Sequence, residues 1–146
     1  MLHNLNIEEV LFLDIETVPI APEFSDLTEN WQKLWAHKMQ FRIDGGESAD
    51  ELYERAGIYA EFGKIICISA GYVTQKNGEY FFRVKSFYDN DEKKLISNFF
   101  NAWEKFSRAG KRRLCGHNGQ EFDFPYIARR ALIHSLRLPK IFDIAG

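Results

Sequence analysis

Four apolar residues, Val10-Leu11-Phe12-Leu13, run without a break into Asp14-Ile15-Glu16-Thr17. A short apolar run of this kind predicts a central strand, with neighbours on both sides and helices packed over it. It also brings carboxylates to the strand's end. Side chains two residues apart on a strand share a face, so Asp14 and Glu16 are expected to project side by side. Two carboxylates that close repel each other unless a proton or a cation lies between them. Oxygen-only ligands suit Mg²⁺ or Mn²⁺. Solvated acids at a strand end produce the same pattern, so Asp-x-Glu alone does not fix a metal site.

From Ile20 to Phe62 the pattern changes. Pro19 and Pro22 break the strand, and Leu27, Trp31, Leu34, Trp35 and Met39 then recur at helical spacing until Gly45-Gly46. Ser48-x-x-Glu51 predicts a capping box opening a second short helix to about Tyr59. Residues 20–62 thus read as a helical insert, with Trp31 and Trp35 covering either a core or an interface. Lys64–Thr74 and Tyr80–Tyr88 read as strands joined by the hairpin signal Asn77-Gly78. Asp89-x-x-Glu92 predicts the start of a helix whose inner face carries Leu95, Ile96, Phe99, Phe100, Trp103 and Phe106. Arg113–His117 reads as a short strand, and Pro125 suits the first turn of a helix to about Leu136. The order predicts an α/β fold, a mixed β-sheet flanked by α-helices. Ile141–Gly146 reads as the start of another strand, so residues 1–146 are expected to form a single domain with its C-terminal part missing.

Composition narrows the class. Of 146 residues, 45% are hydrophobic and 13 are Phe, which excludes a disordered chain. The longest apolar runs are four residues, which predicts no membrane span, and the start MLHNLNIEEV lacks the build of a secretory signal. Two cysteines inside apolar stretches read as buried thiols of a reducing compartment, hence a cytoplasmic protein. The net charge of −2 hides an asymmetry: 5 Lys/Arg against 13 Asp/Glu in residues 1–73, and 14 against 8 in residues 74–146. A basic half attracts phosphate when its charges share a surface, and Lys111-Arg112-Arg113 with Arg129-Arg130 are the candidates. Solvated helix ends account for the same runs. Nothing in the sequence names a protein partner or an oligomeric state.

A second chemistry-bearing stretch, Gly116-His117-Asn118-Gly119-Gln120-Glu121-Phe122-Asp123-Phe124-Pro125, joins a strand end to a helix start. Asp123 is either a third oxygen ligand or a helix cap, and Asn118 can both donate to and accept from a nucleotide. Phe122 and Phe124 read as core residues before base-stacking ones.

Together the two stretches resemble the DEDD superfamily of 3′–5′ exonucleases, which have a ribonuclease H-like fold. Within it they are most similar to the exonucleases of family B DNA polymerases and their free-standing bacterial relatives. Phe12-Leu13-Asp14-Ile15-Glu16-Thr17 resembles the first exonuclease motif, and Asn118-x-x-x-Phe122-Asp123 the second. Glu61-Phe62-Gly63-Lys64-Ile65 resembles the segment before the family's second strand, so the likeness runs from Val10 onward. It implies hydrolysis of phosphodiester bonds at the 3′ end of single-stranded DNA by two Mg²⁺ or Mn²⁺ ions, with RNA as the alternative substrate. By resemblance Asp14 bridges both ions, Glu16 binds the one beside the nucleophile and Asp123 the other. The Thr17 backbone and Asn118 hold the terminal nucleotide, and His117 either touches substrate or is structural.

The sequence departs from that family at the third motif, Tyr-x-x-x-Asp or His-x-x-x-x-Asp. Tyr126 is followed by Arg130, and neither His117 nor His134 has an Asp five residues on. Asp143 lies where a strand is expected to precede that motif's helix. Loss of a fourth acid implies an exonuclease domain with impaired or no turnover; the alternative is a non-catalytic module that binds nucleic acid. A haloacid dehalogenase-type phosphatase also opens on a strand running into Asp-x-Asp-x-Thr. Here the second acid is Glu16, and that reading leaves Asn118–Asp123 unused.

Overall fold

A computed structural model describes residues 5–108, 110 and 112–143. The chain divides into two compact units, Met1–Glu16 with Ile65–Gly146 and, separately, Thr17–Lys64.

The first unit is built on a four-stranded mixed sheet of order β3-β2-β1-β4. β1 spans Val10–Pro19, β2 Gly63–Lys76, β3 Glu79–Phe87 and β4 Arg113–Cys115. β1 and β4 run parallel, with Val10 opposite Arg113 and Phe12 opposite Cys115. β2 and β3 are antiparallel, with Ile68 opposite Phe87 and Lys76 opposite Glu79. The turn between them is Asn77-Gly78, both residues at positive φ (53° and 83°), as a two-residue hairpin matching the sheet twist requires. β1 is central, and Leu11, Leu13 and Ile15 alternate as its buried residues.

Helices α1 to α3 (Glu29–Lys38, Gln40–Asp44 and Ala49–Tyr53) belong to the other unit. α4 (Glu92–Ser107) and α5 (Asp123–Ile133) supply the first unit's apolar stripes. Leu95, Ile96, Phe99, Phe100 and Trp103 are buried as their helical spacing predicts, whereas Phe106 is only half-buried. Phe99 joins strand to turn, with ring centroids 5.7 Å from Phe87 and 5.8 Å from Phe142. Each such ring taken from water contributes about 2–3 kcal/mol before entropy is charged against it.

Several expectations need correction. α4 is capped by Asp91, whose side chain accepts from the Lys94 N–H at 3.2 Å; Asp89 instead accepts from the Asp91 N–H at 2.9 Å. The Glu92 carboxylate therefore closes no capping box. Buried, it accepts from the Ile65 N–H at 2.7 Å, from Arg130 Nε at 2.9 Å and from Arg130 Nη2, and it pairs with His134 Nε2 at 2.7 Å. Arg130 is thereby 6% exposed and is not a phosphate-facing residue, while Arg129 is exposed. Arg112 donates to the carbonyls of Phe106 and Glu8, and Arg113, exposed, lies 3.4 Å from Glu9. Lys111 lies outside the described residues. α5 begins at Asp123 and stops at Ile133, short of Leu136. Ile141 and Phe142 lie in a 3₁₀ turn, Lys140–Phe142, rather than a strand, and Ile144–Gly146 lie outside the described residues. Cys67 is half-buried and Cys115 exposed, because β4 is short and at the sheet edge; neither thiol is fully buried. Among the described residues no helix is long and apolar enough to cross a membrane.

The second unit is helical: α1 (Glu29–Lys38), α2 (Gln40–Asp44) and α3 (Ala49–Tyr53). Its centre is Trp35, fully buried among Leu27, Met39, Leu52, Tyr53, Ala56 and Phe62. Its indole N–H donates to the Ala49 carbonyl at 2.8 Å, and Tyr53, Tyr59 and Phe62 meet its ring edge to face. Of the two tryptophans, Trp35 is core and Trp31 is 37% exposed. The Ser48/Glu51 capping box forms with both of its reciprocal bonds. α3 ends at Tyr53 rather than near Tyr59, and Ala56–Ile58 form a 3₁₀ turn.

Candidate active site

The site is built where β1 outlasts its neighbour. β4 stops at Cys115, level with Phe12, so the β1 groups beyond that point have no strand partner on that side. Gly116 follows at once, and a Cβ there would stand 2.9 Å from the Leu13 carbonyl oxygen. Only glycine lets the chain leave the sheet so close to β1. Asn118 then takes φ +53°, a left-handed turn that Asn tolerates better than other side chains, and its carbonyl accepts from the N–H groups of Glu121 and Phe122, both at 3.0 Å. The turn swings the chain round so that Asp123 opens α5 against β1.

Asp123 is 3% exposed, and its Oδ1 accepts from the Ile15 N–H at 3.1 Å. The carboxylate stands in for the strand carbonyl that β4 no longer supplies. It is therefore not a helix cap; the residue before α5 is Phe122, which makes no side-chain cap bond. Burial pushes the Asp123 carboxyl above its ordinary value, and the neighbouring charge of Asp14 pushes the same way. Bonds from backbone N–H groups and the proximity of His117 oppose this without cancelling it. Asp14 and Glu16 are exposed on either side of buried Ile15, as alternation along a strand requires. His117 and Asn118 are exposed on the connecting turn. Thr17 is half-buried and belongs to the other unit by its contacts.

The donor set decides whether a divalent ion suits this place. The charge of Asp14 acts on the Asp123 carboxyl, and such repulsion is what a cation relieves. Mg²⁺ and Mn²⁺ bind through one or two carboxylates and complete their shells with water and phosphate oxygens, so this pair fits them. A cage of three or more Asp, Glu, His or Cys side chains is not formed among the described residues. Glu16 shares the face without being drawn into such a cage.

A family described as a predicted 3′–5′ exonuclease related to the exonuclease domain of PolB matches residues 58–146. The chain belongs to this family. The matched span takes in the hairpin, α4, β4 and the Asn118–Asp123 turn, and it begins after Asp14 and Glu16, whose place at the site rests on β1 geometry. No curated protein matches the chain. The mixed four-stranded sheet with its flanking helices is that of a ribonuclease H-like exonuclease fold.

Two features escaped the sequence reading. One is the close approach at Gly116, which no local pattern announces. The other is a groove of about 480 Å³ running from Asp14 and His117 across Phe12, Gly71 and Phe82.

Proposed function

We propose that this chain is a 3′–5′ exonuclease domain acting on the 3′ end of single-stranded DNA, with Asp14, Glu16 and Asp123 as its acids and with turnover impaired because Arg130 stands four residues after Tyr126 in place of an acid. The observation that carries the reading is the Asp123 carboxylate on the Ile15 N–H, which sets a buried acid from α5 beside an exposed acid from β1. Asp14, Asp123 and Glu16 would hold Mg²⁺ or Mn²⁺, which when bound supplies a lower water pKa and a counter-charge for the phosphate. The protein's own part is placement. Ile15 fixes the orientation of Asp123, burial removes water from one side of it, and α5 presents its N-terminal end toward an incoming anion. Asn118, exposed at the turn, and the Thr17 backbone are the proposed contacts to the terminal nucleotide.

A second reading, a module that binds nucleic acid without cutting it, is favoured by Arg130, a base where Tyr126 would need an acid four residues on. The two separate on end-labelled single strands with Mn²⁺. The exonuclease reading expects a 5′-labelled strand to shorten stepwise from its 3′ end, and a 3′-phosphorothioate end to slow it. Retained binding of a folded protein with no shortening establishes the binding module, and internal cuts contradict both. A parallel RNA strand tests the substrate class: faster shortening of RNA overturns the preference for DNA.

A further inference from the structure

The sheet face that carries Asp14 also carries an aromatic ring set down on the backbone. A Cβ at Gly71 would stand 2.5 Å from Cζ of Phe82, so the tip of the ring occupies the space a side chain there would fill. In the register Gly71 faces Val84 and Val73 faces Phe82, so the ring reaches diagonally across β2 toward β1. There it meets Phe12 edge to face, with centroids 5.8 Å apart and planes at 75°. Phe82 nonetheless remains 59% exposed, and Val84 beside it 60%. An apolar ring whose tip fills the place of a missing side chain, braced edge to face by a second ring and still open to solvent, is a ready platform.

Its position gives it an occupant. Phe12 and Asp14 lie on one face of β1, about 7 Å apart along the strand. The groove over Phe82 is also lined by Asp14 and His117, so it is continuous with the acid pair. A polynucleotide with its phosphate at Asp14 carries its nearest base into this groove. We propose that Phe82 is the stacking platform for one nucleobase of the bound strand, next to the phosphate that is cut. The inference rests on the nuclease reading above and adds to it a residue on β3, far in sequence from the acids. Stacking on a flat ring is tolerant of sequence, as an enzyme that removes successive nucleotides requires. A ring that merely shielded the Gly71 backbone would support the sheet and make no distinction between bases and gaps.

The test uses fluorescent single strands with Ca²⁺ in place of Mn²⁺, so that affinity is read without turnover. Each of the last four 3′ positions is replaced in turn by a tetrahydrofuran abasic unit. Wild type, Phe82→Leu and Phe82→Trp are compared after thermal melts establish that each is folded. Phe82→Leu is expected to weaken binding of the natural strand by about 5- to 100-fold, and Phe82→Trp to restore it. One abasic position should weaken wild type by a similar factor and erase the difference from Phe82→Leu. Equal binding by Phe82→Leu, or the same loss on every abasic strand, overturns the platform while leaving an active wild type as an exonuclease. A wild type that binds no oligonucleotide overturns the platform and the nuclease reading together.

Discussion

Removing the Glu92 carboxylate should cost the first unit more than any single apolar truncation on its surface. Glu92 is 9% exposed and Arg130 6%, and the two meet through both Arg130 Nε and Nη2. The same carboxylate takes the Ile65 N–H at 2.7 Å and faces His134 Nε2 at 2.7 Å. Glu92→Ala would take the Glu92 carboxylate away from a buried guanidinium and from a backbone donor. Breaking a buried pair from one side costs about 3–5 kcal/mol, out of a typical domain stability of about 5–15 kcal/mol. At about 2–4 °C per kcal/mol for a chain of this size, the Tm should fall by about 6–20 °C. Urea unfolding followed by far-UV circular dichroism gives the free energy. Glu92→Leu with Arg130→Met should recover much of it, because two well-packed apolar residues carry no desolvation cost. Burial alone would raise the Glu92 pKa; the bonds from Arg130, His134 and Ile65 outweigh it and hold it below the ordinary carboxylate value. Its contribution is therefore complete above the unfolded value and is lost as pH falls through the folded one. A loss under 1 kcal/mol for Glu92→Ala, or a double variant costing the sum of its singles, would refute the reasoning.

Other expectations follow from the same contacts. Asp123, its carboxyl raised by burial and by Asp14, destabilises the fold at pH above its folded pKa and is relieved on acidification. Asp123→Asn keeps an acceptor for Ile15, so its Tm should exceed wild type near pH 8 and converge with it in acid; a lower Tm at pH 8 would contradict this. Gly116→Ala places a Cβ 2.9 Å from the Leu13 carbonyl, which should cost about 1–3 kcal/mol and lower nuclease activity more than Gly78→Ala at the hairpin, measured by melts and strand shortening. Trp35→Ala empties the centre of the helical unit and should cost about 3–5 kcal/mol, read by denaturant unfolding.

Much of the first unit was legible because its signals are local. The apolar run of β1, the Asn77-Gly78 turn and the 3.6-residue stripe of α4 each specify an element within a short window. What stayed hidden is what depends on partners far along the chain. Glu92 sits where a capping acid belongs, and its real partners, Ile65, Arg130 and His134, are up to 42 residues away. Arg130 read as one of a basic pair because a sequence shows charge but not burial. Asp123 was open between ligand and cap until its bond to Ile15, 108 residues distant, removed the cap. Asn118 was read for nucleotide chemistry, while its left-handed turn is what the backbone demands of it first.

On the proposed function, Asp14 and Asp123 act as one unit in hydrolysis at a 3′ end. The most direct measurement is the rate of 3′-terminal mononucleotide release from single-stranded DNA with Mn²⁺, for wild type, Asp14→Asn, Asp123→Asn and the double variant. Residues that act together are strongly non-additive, so each single change should remove release and the double should be no worse than either. Release persisting in folded Asp123→Asn at the wild-type rate would contradict the account.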